Sequence, residues 1–262
     1  MTVEAGPTTT SSSSSTSTTL SDDYGQDQEE PVIAGPYSLF DGSFILEFLK
    51  PRPSRNASVL MRATYKHDHP LCKRGKSHAQ SPPLHIHFQQ SETFHVVCGS
   101  IGTTTTYSAI DTIHTPPDTT TTTGAAKPHE IAPWVPHSFW PDPNASQDTT
   151  ILVWAHPNPD DMDEKMDRLF FQNLLMYVSD VGRGQGEVKH VSATALVWFP
   201  RAWFLGPLRW WVPYQFQALC ALMARCAGMK PLIEKYMSEN EWEEVQERMN
   251  NRGGGKVKAK TA

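Results

Sequence analysis

Between residues 37 and 156 the chain is cut by turn residues into short runs that alternate apolar and polar side chains, and this feature restricts its fold most. Phe44, Leu46 and Phe48 alternate with Ser43, Ile45 and Glu47 directly after Gly42, the period of a strand entered from a turn. Val59, Met61 and Tyr65 repeat the pattern over 58–65, and further strands are expected over 84–88, 92–97, 101–109, 127–131, 138–140 and 149–155. A loop rich in Pro, Lys and His separates the second run from the third, and a Pro/Thr tract over 115–124 reads as an exposed connection. Many short strands with no helical run between them favour a barrel or sandwich over βαβ units, with stability expected mainly from apolar burial by residues such as Leu46, Val59, Val97 and Val153.

Beyond Pro159 the period changes to that of a helix. Asp160 or Asp161 is placed to cap it, and Met162, Met166, Leu169, Phe170, Leu174, Tyr177 and Val178 form one apolar stripe interrupted by Asn173. Gly182, Gly184 and Gly186 end the helix. Their spacing follows no strand and opens no helix, so it is not a nucleotide loop. Ser238-Glu-Asn-Glu241 has the form of a capping box and starts a last helix.

The intervening 194–229 stretch holds four of the eight tryptophans between Trp198 and Trp211. A membrane span needs about 20 uninterrupted apolar residues. Here Pro200, Pro207 and Pro213 break the run and Arg201, Arg209 and Arg225 interrupt it, so a transmembrane helix is not expected. The cluster is large enough to need a cover, and the candidates in order are the barrel wall, a second subunit as in a homodimer, and peripheral contact with a membrane interface.

The resulting division is a Ser/Thr-rich tail over 1–34, expected to be disordered, a barrel over 35–157, a helical extension over 158–250 and a short tail over 251–262. The formal charge of −5 is spread along the chain with no basic stripe, which argues against nucleic acid as a partner. Residues 1–30 have neither the basic start nor the apolar stretch of a secretory signal, so an intracellular, cytoplasmic location is expected. Cys72, Cys98, Cys220 and Cys226 have no metal-knuckle spacing.

The chemistry-bearing residues lie in the barrel. His85 and His87 are two apart in a strand-like run, so both imidazoles are expected on one side. Glu92 follows a short bend, and a neighbouring carboxylate adds the negative charge that suits a divalent ion. His137 lies far along the chain. A fold that brought it beside the other three would make a three-histidine, one-carboxylate shell. By the same alternation His95 faces away, and His67, His69, His78, His129 and His156 are expected at the surface or in loops, with His129 as a candidate partner behind a ligand.

The run His85-Ile-His87-Phe-Gln-Gln-Ser-Glu92, followed by six residues and Gly99, resembles the first motif of the cupin superfamily. The stretch Ala132-Pro-Trp-Val-Pro-His137 resembles the second, with the histidine in place, the proline displaced by one, Trp134 at the glycine position and Pro141 at the asparagine position. The resemblance covers about residues 37–156. It implies a mainly β, cupin-type double-stranded β-helix (jelly-roll) barrel and the ligand set His85, His87, Glu92 and His137 for a divalent transition metal. Iron(II) is the first choice, with zinc, manganese and nickel as alternatives.

With its helical extension the chain also resembles cupin-domain proteins of fungal secondary-metabolite clusters, which carry the label oxidoreductase. The implied activity is a dioxygenase or oxidase acting on an apolar small molecule such as a polyketide intermediate. The alternatives are a non-redox isomerase, cyclase or decarboxylase, and a non-catalytic binding barrel. Phe94, Trp134 and Phe139 flank the motif residues and are the candidate substrate contacts.

Overall fold

A computed structural model of the chain describes residues 30–87, 90–116, 128–156, 162–184 and 232–254, with isolated positions between 215 and 226. Its strands are β1 (Val32–Leu39), β2 (Phe44–Leu49), β3 (Val59–Tyr65), β4 (Ser91–Cys98), β5 (Ile101–Thr105), β6 (Ile110–His114), β7 (His129–Ile131), β8 (His137–Pro141) and β9 (Thr149–His156). They form a six-stranded sheet in the order β1-β2-β3-β9-β4-β7 and a three-stranded sheet in the order β6-β5-β8. All pairings are antiparallel.

The alternation seen in the sequence becomes the inner face. Leu46 pairs with Ala63, Ala63 with Ile151 and Val96 with Ile151, so these side chains line one side of the larger sheet. They join Ile101 and Phe139 of the smaller sheet in one buried cluster. Fully burying side chains such as Leu46 and Phe48 stabilises by about 1.5–3 kcal/mol each, so the two sheets are held face to face mainly by apolar area.

Helix α1 (Glu164–Gly182) packs Phe171, Leu175 and Val178 against this cluster. Its Ser179 Oγ accepts a 2.7 Å bond from the Phe40 amide, fixing the helix to the β1–β2 turn. The cap is Asp163, whose carboxylate accepts from the Met166 amide, and not Asp160 or Asp161. The stripe is also rotated from expectation. Phe170 and Met162 are exposed, while Leu169 packs on Leu232 and Val245 of the chain end, Val245 lying in α2 (Glu239–Gly254). Asn173, which appeared to interrupt the stripe, is a buried anchor: its amide donates to the Leu169 carbonyl and accepts from the Ile233 amide at 2.7 Å. The capping box forms, with Glu241 accepting from the Ser238 amide.

Four strand-level expectations are corrected. The stretch 101–109 is the start of a hairpin and not one strand, because the chain reverses at Thr106 and Ala109, both in the left-handed region. The stretch 84–88 contributes a single bridge at His85, since prolines 82 and 83 precede it directly. Val97, expected in the core, is exposed, and Val96 replaces it because the β4–β9 register shifts between Val96 and Cys98. Strand β1 begins at Val32, inside the stretch whose composition reads as tail. Among the described residues, no helix is long and apolar enough to cross a membrane. The tryptophan-rich 198–211 stretch lies outside the described residues.

Candidate metal centre

Three separate stretches bring the four sequence-expected ligands together. His85 is bridged to the first residue of β8: its amide donates to the His137 carbonyl at 3.0 Å, and the His137 amide donates back at 2.9 Å. The His87 carbonyl accepts from the Trp134 amide at 2.8 Å, so the HxH segment runs antiparallel to the 134–137 turn. Glu92 is on β4, on the inner face shared with Phe94 and opposite Ala155 and Ile131. One ligand atom from each of His85, His87, Glu92 and His137 lies within 4.8 Å of the others, slightly looser than the roughly 4 Å that metal–nitrogen bonds of ~2.0–2.1 Å ask for.

The hydrogen bonds around the quartet show which atoms are available. His85 Nδ1 lies 3.0 Å from the Pro83 carbonyl, and His137 Nδ1 lies 2.9 Å from the Val135 carbonyl. A carbonyl can only accept, so both Nδ1 atoms carry the hydrogen and both Nε2 atoms are the ones left to face the quartet, the orientation of a ligating imidazole. His87 Nε2 is buried with no hydrogen-bond partner, and Gln90 bonds the same ring. An unpartnered buried nitrogen costs roughly 1–3 kcal/mol unless something binds it.

His137 Nε2 and Glu92 Oε2 are 2.9 Å apart. With Nδ1 already carrying a hydrogen, these are two acceptors in contact, and only a cation or a shared proton between them makes the contact favourable. The donor set therefore fits a divalent transition ion. It comprises three imidazoles and one carboxylate, each histidine with a second hydrogen bond that orients it.

The electrostatics agree. Burial pushes the His85 imidazole down to about 4, helped by the neighbouring His137 and His87, so it is a neutral ligand at ordinary pH. Burial also lowers His87. Burial pushes the Glu92 carboxyl up, but its bond to His137 and the histidines around it outweigh this and hold it below the usual range.

Of the expected substrate contacts, Phe94 and Phe139 are buried and meet edge to face at 5.1 Å, with Phe139 6.0 Å from the His137 ring. Trp134 is half exposed on the turn before β8 with φ +68°, the left-handed conformation that a glycine at this motif position adopts freely. Gly99 explains its own place in the first motif. Its φ is +75°, and a Cβ there would lie 2.7 Å from Thr149 Cα and 2.8 Å from the Asp148 carbonyl.

The other histidines divide differently from expectation. His95 is in register with Leu152 on the outer face, and His156 bonds Thr93 and Asn56 at the edge. His78 is not at the surface but fully buried: Nδ1 accepts from the Gln80 amide and Nε2 faces Ser43 Oγ at 2.9 Å. His129 is exposed and touches Phe94 and His114 instead of a ligand. His114, not singled out in the sequence, lies on the inner face at the end of β6, and the alternation Ile110–Thr112–His114 was the signal that could have found it.

Two facing antiparallel sheets with a three-histidine, one-glutamate cluster between them are the mainly β arrangement that the resemblance to cupins implies. No family model matches the chain. The probable oxidoreductase virH of Hypocrea virens is 29% identical over 215 residues, 79% of this chain and 90% of its own. The oxidoreductase iacF of Pestalotiopsis fici is 28% identical over 131 residues, covering 50% of this chain and 57% of its own length. The probable oxidoreductase patJ of Aspergillus clavatus is 26% identical over 218 residues, covering 76% of this chain and 62% of its own. The chain thus spans most of virH but less than two thirds of iacF and patJ.

Among solved structures, KdgF from Halomonas sp. overlaps at 12% identity and TM-score 0.30, covering 46% of this chain and 84% of its own. The polyketide cyclase RemF from Streptomyces resistomycificus overlaps at 19% identity and TM-score 0.29, covering 45% and 68%. These superpositions are loose, and the strand order and the placement of the two motifs are what define the barrel.

Proposed function

We propose that this chain is a metal-dependent oxidoreductase of the dioxygenase or oxidase type, acting on an apolar small molecule such as a polyketide intermediate of secondary metabolism. The observation that carries the proposal is the 2.9 Å contact between His137 Nε2 and the Glu92 carboxylate beside the unpartnered His87 Nε2, an arrangement that a cation would satisfy. Similarity to fungal proteins named oxidoreductases supports the redox reading.

His85, His87, Glu92 and His137 would hold the ion. Iron(II), when bound, would supply the redox chemistry toward O2. The chain's part is to hold three imidazoles oriented, to place the Glu92 charge opposite them, and to exclude water with Phe94 and Phe139. Phe94, Phe139 and the half-exposed Trp134 are the proposed substrate contacts.

Purification of the full chain without chelators, metal analysis and O2 electrode measurements with aromatic polyketides test the proposal. About one iron per chain and substrate-dependent O2 uptake are expected. Tightly bound zinc without O2 uptake would move the chain to non-redox isomerase, cyclase or decarboxylase chemistry, and absence of any bound metal would overturn the enzyme reading.

A further inference from the structure

His114 and His129 are absent from the quartet, yet their mutual geometry repeats part of it. Their ring centroids are 4.4 Å apart with an interplanar angle of 65°. Within the quartet, His85 and His137 stand 4.3 Å apart at 53°. Two imidazoles on adjacent positions of one ion, at bonds of ~2.1 Å, place their centroids roughly 4.5 Å apart. The two rings come from different sheets: His114 closes β6, at the edge of the three-stranded sheet, and His129 opens β7, at the edge of the six-stranded one.

Phe94 lies between this pair and the quartet, 5.0 Å from each of the two rings. Thr103 Oγ1, 2.8 Å from His114 Nε2, anchors that ring through one nitrogen, as the Pro83 carbonyl anchors His85. Burial and the adjacent His129 push His114 down to about 4, so it is unprotonated at neutral pH.

We infer that His114 and His129 form a second transition-metal site at the barrel edge, taking a borderline divalent ion such as zinc or copper(II) with water in the remaining positions. The comparison with His85 and His137 rests on reading the quartet as a metal centre. The edge site has two imidazole ligands, and no carboxylate joins them among the described residues, so it binds more weakly than the quartet. His129 is exposed while His137 is buried, so the edge pair is open to solvent.

Calorimetric titration of the chelator-stripped full chain with zinc decides the matter. Wild type is expected to show two classes of site, the second at least tenfold weaker. His129→Ala and His114→Ala each abolish the weaker class and keep the tight one, with circular dichroism confirming the fold; His129 is exposed and serves if the His114 variant does not fold. His87→Ala does the reverse and keeps only the weaker class. A single class in wild type, or a weaker class that survives both edge variants, overturns the inference. A titration with the weaker class present and the tight one absent would instead refute the quartet and leave the edge site standing.

Discussion

Metal binding to the stripped protein should release one proton, and the structure says from where. His85 is held near 4 and His87 below its ordinary value, so neither has a proton to give up at pH 7. Glu92 and His137, 2.9 Å apart with Nδ1 of the histidine committed to the Val135 carbonyl, must share one proton when no ion is present. An incoming cation displaces it. Apparent affinity should therefore rise with pH wherever the metal-free pair still holds that proton, by up to tenfold, about 1.4 kcal/mol, per pH unit. Calorimetry in two buffers of different ionisation enthalpy counts the proton directly. In Glu92→Gln the amide donates to His137 Nε2, no shared proton is needed, and the count should fall to zero while affinity drops. Release of no proton by wild type, or of two, would show that the protonation states deduced from the hydrogen bonds are wrong.

His87→Ala removes a ligand but also an unpartnered buried nitrogen worth roughly 1–3 kcal/mol. The metal-free variant should melt within a few degrees of metal-free wild type, whereas the ~2.7 kcal/mol that wild type gains at a hundredfold excess of ion over Kd should vanish, as thermal melts with and without metal will show. Asn173→Leu leaves the Ile233 amide without its acceptor and should cost about 1–3 kcal/mol, read as earlier proteolysis of the chain end and a lower midpoint in urea. His78 is buried and held near 4 against about 6.5 unfolded, so the unfolded chain takes up the proton first as pH falls. Stability is then lost by up to about 1.4 kcal/mol per unit between pH 6.5 and 4, and this contribution should disappear in His78→Leu on denaturation at each pH. Trp134→Gly relieves a left-handed residue costing roughly 1–2 kcal/mol and keeps the main-chain bond to His87, so melting temperature should not fall and metal content should stay at wild-type level.

The barrel strands and the four residues of the His/Glu cluster were legible in the sequence for different reasons. Strands such as Phe44–Leu49 announce themselves because one face meets apolar core and the other does not, and that asymmetry is local. The cluster residues were legible because two short segments carry them at spacings set by strand alternation and by one tight bridge. What escaped depends on contacts distant in sequence. His78 looks like a loop histidine until Phe40 and Tyr65 close over it, and Asn173 looks like a defect until the Ile233 amide reaches it. The hairpin after Ile101 was missed because its reversal uses Thr106 and Ala109 instead of Gly or Asn.

Glu92 belongs to the six-stranded sheet, while His137 opens a strand of the three-stranded one and is bridged to His85. An ion bound to His85, His87, Glu92 and His137 would therefore tie together two layers that otherwise meet mainly through side-chain packing. Its occupancy should govern how often the layers part. Amide hydrogens of β4 and β8 should exchange more slowly in the loaded protein, while those of α1, anchored elsewhere through Ser179, should keep their rates.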